Sequence, residues 1–581
     1  MESIFTFEEN DKIGTINYVD TAQVIIEIDN ELIMPKICIG NLIAIETSKK
    51  YEYIIAIIDK VTRKQEEKFL LDDEDECAAD FNGSSDFIKA NIVGIYKAVF
   101  GEKKNVFKRG AGTFPQVNSS CYYILGVNLQ NFMNILNTCD KTACSLKIGR
   151  YLMETDTEAI LDGDKFFQRH AAILGSTGSG KSWCVANILE KASVLKYSNL
   201  IVFDMHGEYA SLCEGENRIA EKFKIAGPSD TLKNDEGILF LPYWLLNREE
   251  MLSMILDRSD NNAPNQASRF TLHIRELKEE TLKAESKTVI QKTFTVDSPI
   301  PFKMEKLIER LIVDDTTKGV GAGGKPVKGE WEGKLTRFIS RLSAKIEDKT
   351  YGFMFKPNDK TNDYGWLAKQ MCNILGYIDG KKGIKIIDFS EVPSDILPVV
   401  TGTLARVLYN VQFWMKAEKR TPFTMVCDEA HLYLPVKDDA DAVQKQALYN
   451  FERIAKEGRK YGISLLVVSQ RPSDVSKTIL SQCNNFVVLR LTNDRDKGVI
   501  KNLLPDSLKG TIETLSLLDV GEAIVIGDAI LLPSRIILDQ PTIKPLSATR
   551  DFWNEWINNQ PDNDAICTAI ESLRGQSRVK S

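Results

Sequence analysis

Residues 170–182 read HAAILGSTGSGKS. An apolar run, HAAIL, enters a glycine loop, and a helix-prone run, WCVANILEKA, leaves it. The loop meets the pattern G-x-x-x-x-G-K-[ST], whose glycines let backbone N–H groups approach phosphate oxygens with no Cβ in the way. A helix opening directly behind the loop adds the positive end of its dipole at the same place. On this reading Gly175, Ser176, Thr177, Gly178, Ser179, Gly180, Lys181 and Ser182 cradle the phosphates of ATP. Lys181 reaches the β- and γ-phosphates, and the Ser182 hydroxyl ligates Mg²⁺. Strand, loop and helix in that order point to an α/β fold.

A second stretch is an internal control. Residues 319–326, GVGAGGKP, repeat the glycine and lysine spacing, but Pro326 stands where the metal-binding hydroxyl belongs and no buried strand leads in. It reads as a flexible loop. Contact of Lys318, Lys325 and Lys328 with a phosphate backbone stays open beside a solvated linker.

Working outward, apolar runs recur as HAAIL, NLIVFD (199–204), GIKIIDFS (383–390), FTMVCDE (423–429), ISLLVVSQ (463–470), NFVVLRL (485–491) and EAIVIG (522–527). Near-continuous apolar strands alternating with helical stretches suit a parallel sheet covered on both faces. Several of these runs end in groups with chemistry. FTMVC ends in Asp428-Glu429; opposite a phosphate loop, Asp428 can hold Mg²⁺ through its water shell and Glu429 can polarise the attacking water. NLIVF ends in Asp204-Met-His-Gly-Glu208, where the two acids either face the nucleotide and support metal or water, or cap the next helix. ISLLVVS ends at Gln470, whose amide can sense the γ-phosphate. Upstream, ERIAKEGRKYG carries Arg453 and Arg459, which either stay on the surface or reach the ATP of an adjoining subunit. His170, His206 and His431 border these motifs and read as local hydrogen-bonding groups rather than metal ligands.

The remaining chain sets limits. With 581 residues, several domains are expected. The net charge of −7 excludes an overall basic coat for nucleic acid but not a local basic channel. Eleven scattered cysteines, with Cys139 and Cys144 the nearest neighbours, read as small buried hydrophobes in a reducing compartment. The first residues, MESIFTFEENDK, lack a signal-peptide pattern and no run reaches a membrane span, so a cytoplasmic protein without membrane contact is expected.

Residues 1–148 read as a small β-barrel of short strands (GTINYVD, AQVIIEID, LIAIETS, YEYIIAIIDKV, FIKANIVGIYKAVF), with Asp72–Ser85 as an acidic surface loop. The α/β core spans 149–228 and 376–540, interrupted by a helical insertion over 229–375. Residues 541–581, with Trp553 and Trp556, form a polar tail that packs either on its own domain or on a neighbour.

RHAAILGSTGSGKS, FDMHGEY, CDEAHLYLP and EGRKYGISLLVVSQRPSDVSKTILSQCNN, in that order, resemble the HerA family of hexameric DNA translocases within the HerA/FtsK group of P-loop motors. The resemblance implies an N-terminal barrel, a RecA-like P-loop ATPase core with a helical insertion, and a C-terminal extension bracing the next subunit of a six-membered ring that threads double-stranded DNA. It assigns Lys181 and Ser182 to nucleotide and Mg²⁺, Asp428 and Glu429 to the Walker B pair, and Gln470 to the sensor. Arg459 is the trans-acting arginine finger, with Arg453 as the fallback. It also implies a partner on the barrel side, a nuclease or, in bacterial antiphage systems, a sirtuin-like effector. Two functions follow: a Mg²⁺-ATP-driven DNA translocase or helicase, and an ATP-dependent ring scaffold that assembles and activates an effector with little translocation.

Overall fold

The computed structural model describes residues 3–29, 35, 37–66, 83–98, 105–110, 112–136, 145–152, 154–227, 230, 237–320, 324–503, 512–547 and 550–575. The chain packs as two compact units. One comprises Met1–Lys191, Gln470–Ser473 and Cys483–Pro541; the other comprises Ala192–Ser469, Asp474–Gln482 and Thr542–Ser581.

The first unit begins with seven antiparallel strands: β1 (Lys12–Val19), β2 (Gln23–Ile28), β3 (Leu42–Glu46), β4 (Glu52–Glu66), β5 (Gly83–Lys97), β6 (Val106–Arg109) and β7 (Ser120–Tyr123). Their order is β2-β1-β7-β3-β4-β5, and pairing of β2 with β5 closes six of them into a barrel, with β6 added on β5. Closure removes the exposed edges that short strands otherwise present. Inward side chains fill the interior, among them Ile13, Ile16, Val24, Ile26, Ile43, Ile45, Ile54, Ile58, Ile88 and Tyr123. At Gly14 the neighbouring strand passes so close that a Cβ would stand 1.9 Å from the Glu27 carbonyl oxygen. The expected loop at Asp72–Ser85 lies outside the described residues except for Gly83–Ser85, which open β5.

Helix Gly126–Leu136 was not expected in this part of the chain, although Leu129, Phe132, Met133 and Leu136 are buried at helical spacing. Phe132 meets Phe107 of β6 edge-on, with ring centroids 5.5 Å apart. Arg109, at the end of β6, ties the barrel to the rest of this unit. Its guanidinium donates to the carbonyls of Gly527, Ile530 and Leu531 and lies 3.7 Å from Asp528.

The rest of the first unit is a sheet of β8 (Ser145–Tyr151), β9 (Glu158–Asp162), β10 (Ala171–Leu174) and three later strands, Asn485–Leu489, Glu522–Gly527 and Ser534–Leu538. β10 runs parallel to Asn485–Leu489, and every other pairing here is antiparallel. This corrects the expectation of a parallel sheet through EAIVIG. An apolar run records burial on both faces, not strand direction.

The second unit holds six parallel strands, in the order Ile238–Leu239, Ala220–Ile225, Ile384–Asp388, Leu200–Asp204, Phe423–Cys427, Ile463–Ser469. Helices Leu397–Trp414 and Ala442–Glu457 pack with it. Between residues 248 and 375 the chain is mainly helical, with Ala263–Ala284, Met304–Thr316 and Thr336–Glu347 the longest helices. A buried network joins this part to the core helices: Arg406 pairs with Glu250 at 2.7 Å, and Asn450 donates to Glu250 at 3.0 Å.

No residue of the tail helices Phe552–Asn558 and Asn563–Gly575 is buried, and Trp553 and Trp556 are about three-quarters exposed (75% and 72%). Among the described residues no helix is long and apolar enough to cross a membrane. The cysteines depart from expectation: Cys121, Cys184, Cys427 and Cys483 are buried, but Cys38, Cys372 and Cys567 are exposed. Cys139 and Cys144 lie outside the described residues.

Candidate active site

In the first unit the phosphate loop leaves β10, and helix Lys181–Ser193 opens at its lysine. Gly178 and Gly180 hold φ of 72° and 104°, a region that only glycine enters without strain. A Cβ on Gly175 would stand 2.6 Å from Ser179 Oγ and 2.8 Å from Leu489 Cβ, so this glycine is required by packing. The loop is tied down on both sides. Ser176 donates through its N–H and its hydroxyl to the Arg490 carbonyl, both at 2.8 Å, and Gly521 N–H donates to the Ser179 carbonyl at 3.2 Å. Neither Arg490 nor Gly521 was singled out from sequence, because no local pattern marks a distant strand end as a loop anchor.

Lys181 Nζ donates to the Ser176 carbonyl at 3.1 Å, so the ammonium sits over the loop it serves. Ser179 is fully buried and its Oγ has no hydrogen-bond partner, an orphaned polar atom inside the loop. Thr177 Oγ1 donates to Gln470 Oε1 at 2.5 Å. The loop and the Gln470 amide, 293 residues apart in sequence, thus touch directly. Positive-φ glycines, a helix opening at a lysine and a hydroxyl at Ser182 fit a nucleotide triphosphate.

In the second unit three neighbouring strands end in acids: Asp388, Asp204 and, just past Phe423–Cys427, Asp428. Asp388 was passed over in GIKIIDFS because its importance lies in register, opposite Asp204. Asp204 Oδ1 accepts the N–H groups of His206 (3.3 Å), Gly207 (2.8 Å) and Glu208 (3.0 Å), and Oδ2 accepts that of Tyr209 (3.0 Å). Its carboxylate therefore organises the turn that carries Glu208, whereas the short helix that follows, Ala210–Cys213, has Tyr209 at its N-cap and no side-chain cap. Burial pushes Asp204 up to about 6, with Asp388 adding repulsion while the backbone N–H groups pull the other way.

Asp428 is buried and held well above the usual carboxylate range, first by desolvation and then by Glu429, Asp204 and Glu208. A concentration of buried negative charge of this kind is stabilised by a cation. Mg²⁺ takes few protein carboxylates and completes its shell with water and phosphate oxygens.

Glu429 adopts the left-handed conformation (φ 43°, ψ 45°), uncommon for a side-chain-bearing residue and a form of strain that concentrates at functional sites. It is buried, with Oε2 at 3.3 Å from His431 Nδ1; His431 also stands 3.5 Å from Ser469 Oγ. His431 is thus a local hydrogen-bonding group, as its position suggested.

The two candidate arginines differ. Arg453 lies over the Tyr409 ring at 4.7 Å and against Glu457 at 3.5 Å, so its own chain occupies it. Arg459 is exposed on the turn Gly458–Tyr461, and among the described residues it makes no ion pair or side-chain hydrogen bond.

The family model for the central domain of helicase HerA matches residues 146–408, which include the phosphate loop and the Asp204 turn. The DNA double-strand break repair helicase HerA of Saccharolobus solfataricus is 28% identical over 398 residues, covering 67% of this chain and 68% of that protein. Over this region the chain is similar to the HerA family. Its phosphate loop and these helicase relatives together make it a P-loop ATPase. A second HerA relative, the DNA double-strand break repair helicase of Pyrococcus furiosus, is 26% identical over 421 residues, covering 67% of this chain and 69% of its own length. Among solved structures, VirB4 of Thermoanaerobacter pseudethanolicus is similar with a TM-score of 0.44 at 14% identity, covering 71% of this chain and 98% of that one.

Proposed function

We propose that this P-loop ATPase is a Mg²⁺-ATP-driven motor on double-stranded DNA that works as a ring of six copies. The observation that carries the reading is the contrast between Arg453, held by Tyr409 and Glu457, and the unengaged, exposed Arg459. An arginine that no described residue holds through its side chain, on a turn leading into the strand that ends beside Gln470, suits a finger that completes the site of the next copy. The substrate class is supported by the relatives named as DNA double-strand break repair helicases.

In this reading Lys181 takes the β- and γ-phosphates, and Ser182 and Asp428 hold the metal. Glu429 orients the attacking water, and Gln470 reports on the loop through Thr177. Bound Mg²⁺-ATP supplies the phosphoanhydride bond and the divalent charge that the acid cluster favours. A nuclease or a sirtuin-like effector on the barrel side rests on family resemblance alone.

The test uses the purified full chain: native mass, and ATPase rate with and without duplex DNA at low salt. Arg459→Ala is expected to lose about 10³–10⁵-fold in rate while still binding ATP. Mixing it with Lys181→Ala, whose arginine is intact, should restore part of the activity. An unimpaired Arg459→Ala beside an inactive Arg453→Ala would move the finger to Arg453. Glu429→Gln should bind ATP and assemble but lose biological activity; retained activity would favour the ring-scaffold reading.

A further inference from the structure

In the stretch that mimics a phosphate loop without being one, residues 319–326, Gly319–Val320 pairs antiparallel with Pro326–Val327, the flanks of a hairpin whose residues 321–323 lie outside the described residues. Its register pairs Gly319 with Val327 and Val320 with Pro326. The same close pairing continues outward to Thr317 and Gly329, where a Cβ on Gly329 would stand 1.9 Å from the Thr317 carbonyl oxygen. This register sets Lys318 directly across from Lys328. Side chains so placed have Cβ atoms about 4.5–5.5 Å apart, and like charges there repel.

Among the described residues no ion pair offsets that repulsion. Lys318, Lys325 and Lys328 are exposed, and among the described residues none of them makes an ion pair. Three nearby acids are engaged elsewhere. Asp314 receives Arg269 at 2.6 and 2.9 Å and His273 at 2.7 Å, Asp315 accepts from Leu335 N–H and the Thr336 hydroxyl, and Glu332 accepts from Gly329 N–H. The hairpin stands on a firm base: Trp331 lies between Arg269, 5.2 Å from its ring, and Lys334, 5.4 Å from it. In a chain of net charge −7, residues 317–329 carry three lysines and no acid.

We infer that this hairpin binds the phosphate backbone of duplex DNA, with Lys318 and Lys328 gripping one phosphate between them and Lys325 making a second contact on the opposite face. An anion set between the two facing lysines turns their repulsion into attraction, and the glycines at 319, 324 and 329 keep side-chain bulk away from the strand. The inference rests on the reading of the chain as a DNA motor.

The experiment measures binding of the full chain to a labelled blunt-ended duplex over a range of salt concentrations. Each phosphate no longer neutralised lowers the slope of log affinity against log salt by roughly 0.9, so Lys318→Ala/Lys328→Ala, which frees the one phosphate the pair grips, should lower it by about 0.9 per hairpin engaged. Basal ATPase should be unchanged, and Lys318→Arg/Lys328→Arg should keep the wild-type slope. Wild-type affinity and slope in the alanine variant would overturn the hairpin assignment while leaving the motor reading intact. Weakened binding with an unchanged slope would overturn it as well. A wild-type chain that binds no DNA at any salt would bring down the motor reading and the hairpin together.

Discussion

Residues 175–182 and residues 319–326 share one spacing of glycines and lysine, yet they end as different structures. The first lies between a fully buried strand and a 13-residue helix, and its backbone is tied to Arg490 and Gly521. In the second, Gly319–Val320 pairs antiparallel with Pro326–Val327 in a mainly helical part of the chain, with Lys325 exposed and Pro326 taken into a strand. Glycine spacing permits a tight backbone. A phosphate site also needs amides aimed by a helix N-terminus and a frame rigid enough to keep them aimed. The near-match has the permissive residues without that frame, so its lysines are left to act as surface charges.

Substitutions made in pairs put this contrast to work. The largest difference is expected between the two lysines: Lys181→Ala should lower ATPase rate by about 10³-fold or more, as loss of a preorganised charge on a reacting phosphate does. Lys325→Ala should leave basal ATPase as it was, and comparable losses in both variants would break the distinction. A smaller difference is expected between glycines of similar backbone geometry. Gly180→Ala, at φ 104°, adds strain of about 1–3 kcal/mol inside the loop and should weaken nucleotide binding roughly 5–150-fold in a titration. At Gly324, φ is 78° and a Cβ would meet nothing within 4 Å. Gly324→Ala should therefore cost about 1 kcal/mol locally, seen as a small shift in melting temperature without change in ATP affinity. The smallest effect belongs to the contact that the near-match lacks. Thr177→Val removes the bond to Gln470, worth about 0.5–1.5 kcal/mol, and should slow turnover about 2–10-fold with little change in nucleotide affinity.

Much of the site was legible because it is local. Strand, loop and helix around Lys181 follow one another within some two dozen residues, and Asp428-Glu429 sits at the end of an apolar run that announces itself. Less legible was anything that depends on a partner far along the chain. Asp204 and Asp388 are 184 positions apart, and only the pairing of their strands makes them neighbours. The division of labour between Asp204, which holds a turn through four N–H groups, and Asp428, which does not, is likewise invisible in two similar strand ends. The barrel follows the same rule. Its strands were readable from alternation, whereas closure of β2 on β5 is a long-range pairing that no run of residues encodes.

By itself the sequence determined the chemistry on offer: a phosphate loop, an acid pair, a strand-end amide, two candidate arginines and a resemblance to one family. Each is carried by a contiguous motif whose residue types and spacing have few other uses. Only the tertiary structure decided which arginine is held and which is unengaged, that Thr177 meets Gln470, that the last strands of the first unit run antiparallel, and that Lys318 faces Lys328. These outcomes depend on packing and register between distant segments, where free energy is gained by burying surfaces together and local pattern has no say.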